Sequence, residues 1–161
     1  MTKKSISLFQ EKLSSLNLKN HNLLSFQGTY VAINLNNLKS NLNYLKKNLQ
    51  PSTKIMCVVK AFAYGTDPLT IGNFLEKNNV DYLAVAYTNE GVKLRSSGIK
   101  LPILILHPQI DDFDEILEYN LEPNIYSFRI LERFLSKSKT HPLHLKFNTG
   151  LNRLGLSLIH I

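Results

Sequence analysis

The chain has 161 residues, 43% of them hydrophobic and 19% charged, with a formal net charge of +7 at pH 7. This length holds one domain with a single core, the composition excludes bulk disorder, and no apolar stretch approaches the ~20 residues of a membrane span. The lysines are spread along the chain without an aromatic-interleaved basic stripe, so the charge alone gives little support to a nucleic-acid-binding or purely structural basic domain.

Residues 1–28 are polar, rich in Ser, Asn and Lys, and carry the densest basic part, with Lys3, Lys4, Lys12 and Lys19. They lack the continuous apolar core of a secretion signal and read as a leader or linker, with Leu8, Phe9, Leu13 and Leu16 allowing a short amphipathic turn. The domain is expected over 29–161. YVAINL (30–35) reads as a strand, and Leu35, Leu38, Leu42, Leu45 and Leu49 recur at steps of three and four as a helix stripe that Pro51 stops. KIMCVVKA (54–61) reads as a second strand, apolar on both faces, of the kind found in parallel sheets covered by helices. It contains the single cysteine, Cys57, so no intramolecular disulfide forms, which suits a reducing cytoplasm.

Asp67-Pro68 is an N-cap and first-turn pair that opens a helix to about Asn78. DYLAVAYT (81–88) is the third strand, and Thr88 is placed to cap a short helix ending at Gly98. PILILH (102–107) is the fourth strand, with Asp112 and Glu115 at capping-box spacing behind it. NIYSF (124–128) is a fifth, weaker strand, followed by a helix carrying Ile130, Leu131, Phe134 and Leu135. LHLKFN (143–148) is the sixth. About six strands alternating with five helices imply an α/β chain with a parallel sheet and helical crossovers. A doubly wound open sheet and an incomplete (β/α)8 TIM-type barrel both satisfy that pattern, and periodicity does not choose between them.

Two segments carry candidate chemistry. In VVKAFAYG (58–65) Lys60 alternates with Met56 and Val58 at the carboxyl end of the second strand, the end where barrel enzymes keep their active sites. Burial among apolar neighbours would disfavour its ammonium form, as an amine that forms a Schiff base and then takes a proton requires. Tyr64 follows, with a hydroxyl suited to an anion such as a phosphate. The plainer reading is a snorkelling lysine beside a rim tyrosine. In HLKFNTGLNRLG (144–155) one strand face holds His144, Lys146 and Asn148, which is costly unless those groups are paired. A Thr149-Gly150 turn then leads to Arg153, whose guanidinium suits an oxyanion or carboxylate. The plainer reading there is a solvated loop.

VVKAFAYG resembles the cofactor-lysine motif of the alanine racemases, usually VVKANAYGHG, and LKFNTGLNRLG resembles their later K-x-D-T-G-M-x-R-L-G motif. VDYLAVAYTNEGVKLRSSGIKLPILIL (80–106) is similar to the stretch between, so the likeness runs in order from about Thr29 to Gly155. It implies the barrel fold and an isomerase that interconverts L- and D-alanine for peptidoglycan supply, with pyridoxal 5'-phosphate held on Lys60 as an aldimine. By the same likeness Lys60 is also one of two acid/base groups, Tyr64 touches the phosphate, and Arg153 reaches the cofactor's phenolic oxygen and the substrate. Lys146 matches a lysine that is carbamylated in some members, and a carbamate there would pair with Arg153. The family implies a cytoplasmic homodimer, with no metal, nucleic acid or membrane partner.

Five positions depart from the family pattern: Phe62 for Asn, Thr66-Asp67 for His-Gly, Asn148 for Asp and Leu151 for Met. KAFAYG resembles racemase domains fused behind a cell-wall ligase. LSLIHI departs after Gly155 and reads as a truncation or a foreign scar. The last barrel strands and the family's C-terminal β domain, which supplies a catalytic tyrosine across the dimer, are then missing. The chain alone is accordingly expected to be inactive and marginally stable. The alternative function is a non-catalytic pyridoxal-phosphate-binding homeostasis-type protein, against which the N-R-L-G segment argues.

Overall fold

A computed structural model describes residues 31–157, so the leader expected over 1–28 lies outside the described residues. The chain divides into two compact units between Lys47 and Asn48. In the first, helix α1 spans Leu35–Lys47, with Leu42 as its buried position. The Asn34 side-chain oxygen accepts from the amides of Asn36 and Asn37 at 3.0 and 3.1 Å. This N-cap ends the extended run expected over 30–35, and residues 31–34 form no strand.

The second unit carries the sheet. Its strands are β1 Met56–Val58, β2 Tyr82–Val85, β3 Ile103–Ile105, β4 Glu122–Ile125 and β5 His144–Leu145, hydrogen-bonded in the order β1-β2-β3-β4-β5. Every pairing is parallel. Sequential order without a reversal is the order of a barrel wall, whereas a doubly wound sheet reverses direction at its switch point. Five strands are present among the described residues instead of about six, since the first expected strand is absent.

Helix α2, Pro68–Lys77, starts where the sequence indicates: Asp67 accepts from Thr70 N at 2.9 Å and Pro68 occupies the first turn. Helix α3 spans Thr88–Ser96, α4 Phe113–Glu118 and α5 Phe128–Lys137. Ser127 caps α5 by accepting from Ile130 N. Two caps differ from the sequence reading. Thr88 lies inside α3, buried, and its Oγ1 donates to Asp112 Oδ2 at 2.7 Å. Asp112 thereby caps nothing with Glu115; its other contact is the Gln109 amide, ahead of the 3-10 turn Ile110–Asp112.

Leu83, Val85, Ile103, Ile105 and Ile125 are fully buried, and Phe113 meets Phe134 edge-to-face at 5.2 Å in the same core. A Cβ on Gly91 would stand 2.8 Å from Ile105 Cδ1, so only glycine lets α3 lie this close to the sheet. On the other side of the motif, Leu156 is buried and bridges Phe147 in parallel, donating to Lys146 O at 2.7 Å and accepting from Asn148 N at 2.9 Å. Leu156, in the segment read as a truncation or scar, thus forms an isolated bridge outside the five strands.

Candidate active site at the carboxyl ends of the strands

Val59 N donates to Ala84 O at 2.8 Å, which carries the β1–β2 ladder to the residue before Lys60. The chain then enters a left-handed helical turn, Lys60–Gly65, in which Ala61, Phe62, Ala63 and Tyr64 have φ of 52, 55, 49 and 57°. Left-handed geometry costs an L-residue about 1–2 kcal/mol, and none of these four is glycine. Three bonds hold the turn: Ala63 N to Val59 O at 3.1 Å, Thr66 N to Phe62 O at 2.8 Å and Thr66 Oγ1 to Ala63 O at 2.7 Å. A fourth is longer in range. Ala61 N donates to Glu90 Oε1 of α3 at 2.6 Å, and Glu90 Oε2 accepts from Ala86 N at 2.8 Å and Tyr87 N at 3.2 Å. Strain held by surrounding contacts is a property of functional sites.

Lys60 lines a cavity of about 410 Å3 together with Ala86 and Tyr87 after β2, Leu106 and His107 after β3, and Lys146, Arg153 and Leu154 from β5 and its loop. All these strand-borne residues leave the carboxyl ends of their strands, where barrel enzymes work. Three cations line the cavity and no carboxylate does, so it suits an anionic ligand. Lys60, Lys146 and Arg153, predicted separately from two motifs, are thus brought together. Tyr64 is not: it is 66% exposed on the left-handed turn and outside the cavity lining. The apolar burial expected of Lys60 is also absent. Lys60 is half-buried, and its neighbours Met56 and Val58 on the same strand face are 41% and 40% exposed, because β1 has a paired strand on one side only among the described residues.

Around the cavity lies a shell that sequence reasoning missed. His107 stacks on Tyr126 at 5.3 Å and meets Tyr87 edge-on at 5.8 Å. Tyr126 donates to Pro108 O at 3.1 Å, and burial pushes its hydroxyl pKa up. Asn124 Nδ2 donates to Leu106 O at 3.0 Å. The available signal was position: each of these residues sits in or just after a strand, level with Lys60 or Lys146. Of the polar face expected over the sixth strand, which is shorter than expected at His144–Leu145, His144 is paired. His144 Nε2 contacts Glu122 Oε2 at 2.7 Å, and Tyr82 donates to both Glu122 oxygens at 3.0 and 3.2 Å. Burial first, and Glu122 second, hold the Tyr82 hydroxyl above its ordinary pKa.

The loop bearing Arg153 is organised by Asn148. Its Oδ1 accepts from Gly150 N at 3.3 Å and Asn152 N at 3.0 Å. Its Nδ2 donates to Asn152 Oδ1 at 2.9 Å. Both backbone bonds need only an acceptor oxygen, which Asp and Asn share. Arg153 itself is exposed.

Comparison with known proteins gives one consistent answer. The family model for the alanine racemase N-terminal domain matches residues 33–160. An alanine racemase of Thermodesulfovibrio yellowstonii is 38% identical over 132 residues, covering 77% of this chain and 36% of that protein. A serine/alanine racemase of Enterococcus gallinarum is 34% identical over 121 residues, covering 74% of this chain and 17% of that protein. A solved alanine racemase of Clostridium difficile 630 superposes with a TM-score of 0.72 at 37% identity, covering 76% of this chain and 33% of that one. The chain therefore spans about a third of the length of these alanine racemases.

Proposed function

Given that this chain belongs to the alanine racemase family through that family's N-terminal domain, we propose that it forms the cofactor-holding wall of an enzyme interconverting L- and D-alanine with pyridoxal phosphate. One observation carries the reading: Lys60, Lys146 and Arg153 line a single cavity that no carboxylate enters. Serine remains a second substrate to assay, since one relative is named for both amino acids.

The donor set fits the cofactor. An aldehyde needs an amine, which Lys60 provides. A phenolate needs a cation, and Arg153 stands in the same cavity. The volume, about 410 Å3, lies within the roughly 300–1,000 Å3 of ligand clefts. Bound there, pyridoxal phosphate supplies a conjugated ring that accepts the electron pair left when an α-proton departs.

In this reading Lys60 Nζ anchors the cofactor and then takes or returns the α-proton on its own side. Arg153 holds anionic oxygen of cofactor and substrate. A carbamate on Lys146 would place an anion beside Arg153. Tyr64, exposed and outside the cavity lining, would have to reach in to meet the phosphate. Residues 29–161 form part of the barrel domain, a span supported by the family match over 33–160. No helix among the described residues is long and apolar enough to cross a membrane, and a cytoplasmic homodimer is the setting we propose for the whole protein. This chain alone is proposed to hold cofactor without completing racemisation.

The test uses the protein that carries this chain, with pyridoxal phosphate and L-alanine in D2O. Appearance of D-alanine bearing deuterium at the α-carbon is expected. Cofactor binding without deuterium exchange or D-alanine would instead favour a non-catalytic cofactor-binding protein.

A further inference from the structure

We propose that Glu90 is a positioning residue for Lys60, acting as an anionic clamp behind the cavity wall. This rests on the reading of Lys60 as the cofactor-bearing amine. Glu90 does not line the cavity that holds Lys60. It lines a second, apolar cavity together with Val59 and Phe62.

Its two oxygens face different segments. Oε1 accepts from the amide of Ala61, the residue that follows Lys60 and opens the left-handed turn, at 2.6 Å. Oε2 accepts from the amides of Ala86 and Tyr87 at 2.8 and 3.2 Å. Ala86 and Tyr87 line the same cavity as Lys60. One carboxylate therefore fixes the backbone under the amine relative to the backbone of the facing wall. Amides donated to an ionised acceptor make short, strong bonds, and three of them on one side chain leave it few alternative poses.

The clamp also answers why a turn of four left-handed residues stays in place beside the amine. Local bonds close the turn on itself through Val59, Phe62 and Ala63. Only the Ala61–Glu90 bond, among the described hydrogen bonds of the turn's own amides and hydroxyl, ties it to a helix. That helix is seated rigidly, because Gly91, the next residue, brings α3 within contact of Ile105 and Leu121. Rigid seating passes from the sheet through Gly91 and Glu90 to Ala61 and so to Lys60. A displacement of a reacting group by about an ångström is enough to cost a large factor in rate, roughly a hundredfold.

Two substitutions separate positioning from folding. Glu90→Gln keeps size but replaces one acceptor oxygen with a donor, so it cannot serve Ala61 and the Ala86–Tyr87 pair together. Glu90→Asp keeps the charge but is one methylene shorter, so it serves the near amides of its own helix start and loses reach to Ala61. The parent chain provides a test that needs no variant. The amides of Ala61, Ala86 and Tyr87 should all be protected from exchange with solvent, because one carboxylate accepts from all three.

The variants are then read without turnover. Lys60 is labelled by a trace of acetic anhydride across a pH series, without cofactor, with Lys137 as internal reference. Pyridoxal phosphate is separately trapped on Lys60 by borohydride over a range of cofactor concentrations. We expect Ala61 amide exchange in both variants to rise roughly tenfold or more, the scale of a lost bond to a charged acceptor. We also expect the Lys60 labelling profile to move against Lys137, and the trapping rate at saturating cofactor to fall. An unprotected Ala61 amide in the parent would overturn the clamp whether or not the variants fold. Parent-like labelling and trapping in a folded variant would overturn it too. If the parent itself traps no cofactor while the three amides are protected, the cofactor reading fails and the clamp stands as a structural contact, which also ends its positioning role.

Discussion

Lys60, just past β1, and Arg153, on the loop beyond β5, line one cavity at the carboxyl ends of the strands that separate them. Neither residue is distinctive alone. Their convergence depends on the sequential parallel order of the sheet, which turns every strand's carboxyl end to the same rim.

The same cavity should bind inorganic phosphate in the absence of any cofactor, because its lining holds three cations and no acid. Arg153→Ala and Lys146→Ala should each weaken that binding by roughly tenfold, the scale of one charge-assisted contact. Calorimetric titration checks this, and rising sodium chloride should compete.

Phe62→Asn should stabilise the chain. Phe62 sits at φ 55° and is 69% exposed, with Lys93 Nζ 6.0 Å from its ring centre. Asn tolerates left-handed backbone far better than an aromatic residue. We expect a gain of about 1 kcal/mol from the ~1–2 kcal/mol left-handed cost. The exposed cation–π contact it removes contributes only about 0.5 kcal/mol. Chemical denaturation midpoints of the two chains decide it.

Gly155→Ala should unfold the Arg153 loop. Gly155 has φ 130°, and an added Cβ would lie 2.7 Å from Asn148 N and 2.9 Å from Phe147 C, both backbone atoms that cannot swing away. A loss of about 2 kcal/mol or more is expected, together with loss of phosphate binding. A retained melting temperature would contradict the packing described for this loop.

Asp67 governs a small pH dependence. Its bonds to Thr70 hold its carboxyl pKa below the ordinary range, side-chain contact first and backbone amide second. The folded pKa is depressed, so the cap's charge-dependent stabilisation is complete above the ordinary carboxylate range and is lost as pH falls through the lowered value. Asp67→Asn keeps an acceptor without the charge. Its deficit in melting temperature relative to the parent should be greatest near neutrality and vanish in acid. Asp67→Ala should cost about 1 kcal/mol at neutral pH.

Much of this arrangement was legible in the residues. Asp67-Pro68 and the apolar runs at 82–85 and 103–105 declare themselves through caps and pattern, whereas Ser127 and Phe128, read as the end of the fifth strand, are the cap and first residue of α5. Lys60, Lys146 and Arg153 were found by motif. Other features were hidden because they depend on contacts distant in sequence. The Asn34 cap is the exception, a local contact with the amides of Asn36 and Asn37 that reading 30–35 as a strand passed over. Thr88 is a plausible cap until Asp112 takes its hydroxyl from another segment. KAFAYG contains no residue, apart from its glycine, that advertises left-handed backbone. Glu90 reads as an ordinary first-turn acid, and its bond to Ala61 exists only once β1 and β2 lie side by side. Lys60 was expected to be buried on apolar neighbours, but Met56 and Val58 line an open strand face.

The central claim is that the Lys60 amine is the group that takes the cofactor's aldehyde. The direct measurement is peptide mass mapping after the chain is mixed with pyridoxal phosphate and reduced with borohydride. The account predicts a pyridoxyl adduct on Lys60, at cofactor concentrations that leave exposed Lys137 and Lys139 unmodified, and its disappearance in Lys60→Ala. Adducts scattered over surface lysines, with Lys60 no more modified than the rest, would contradict it.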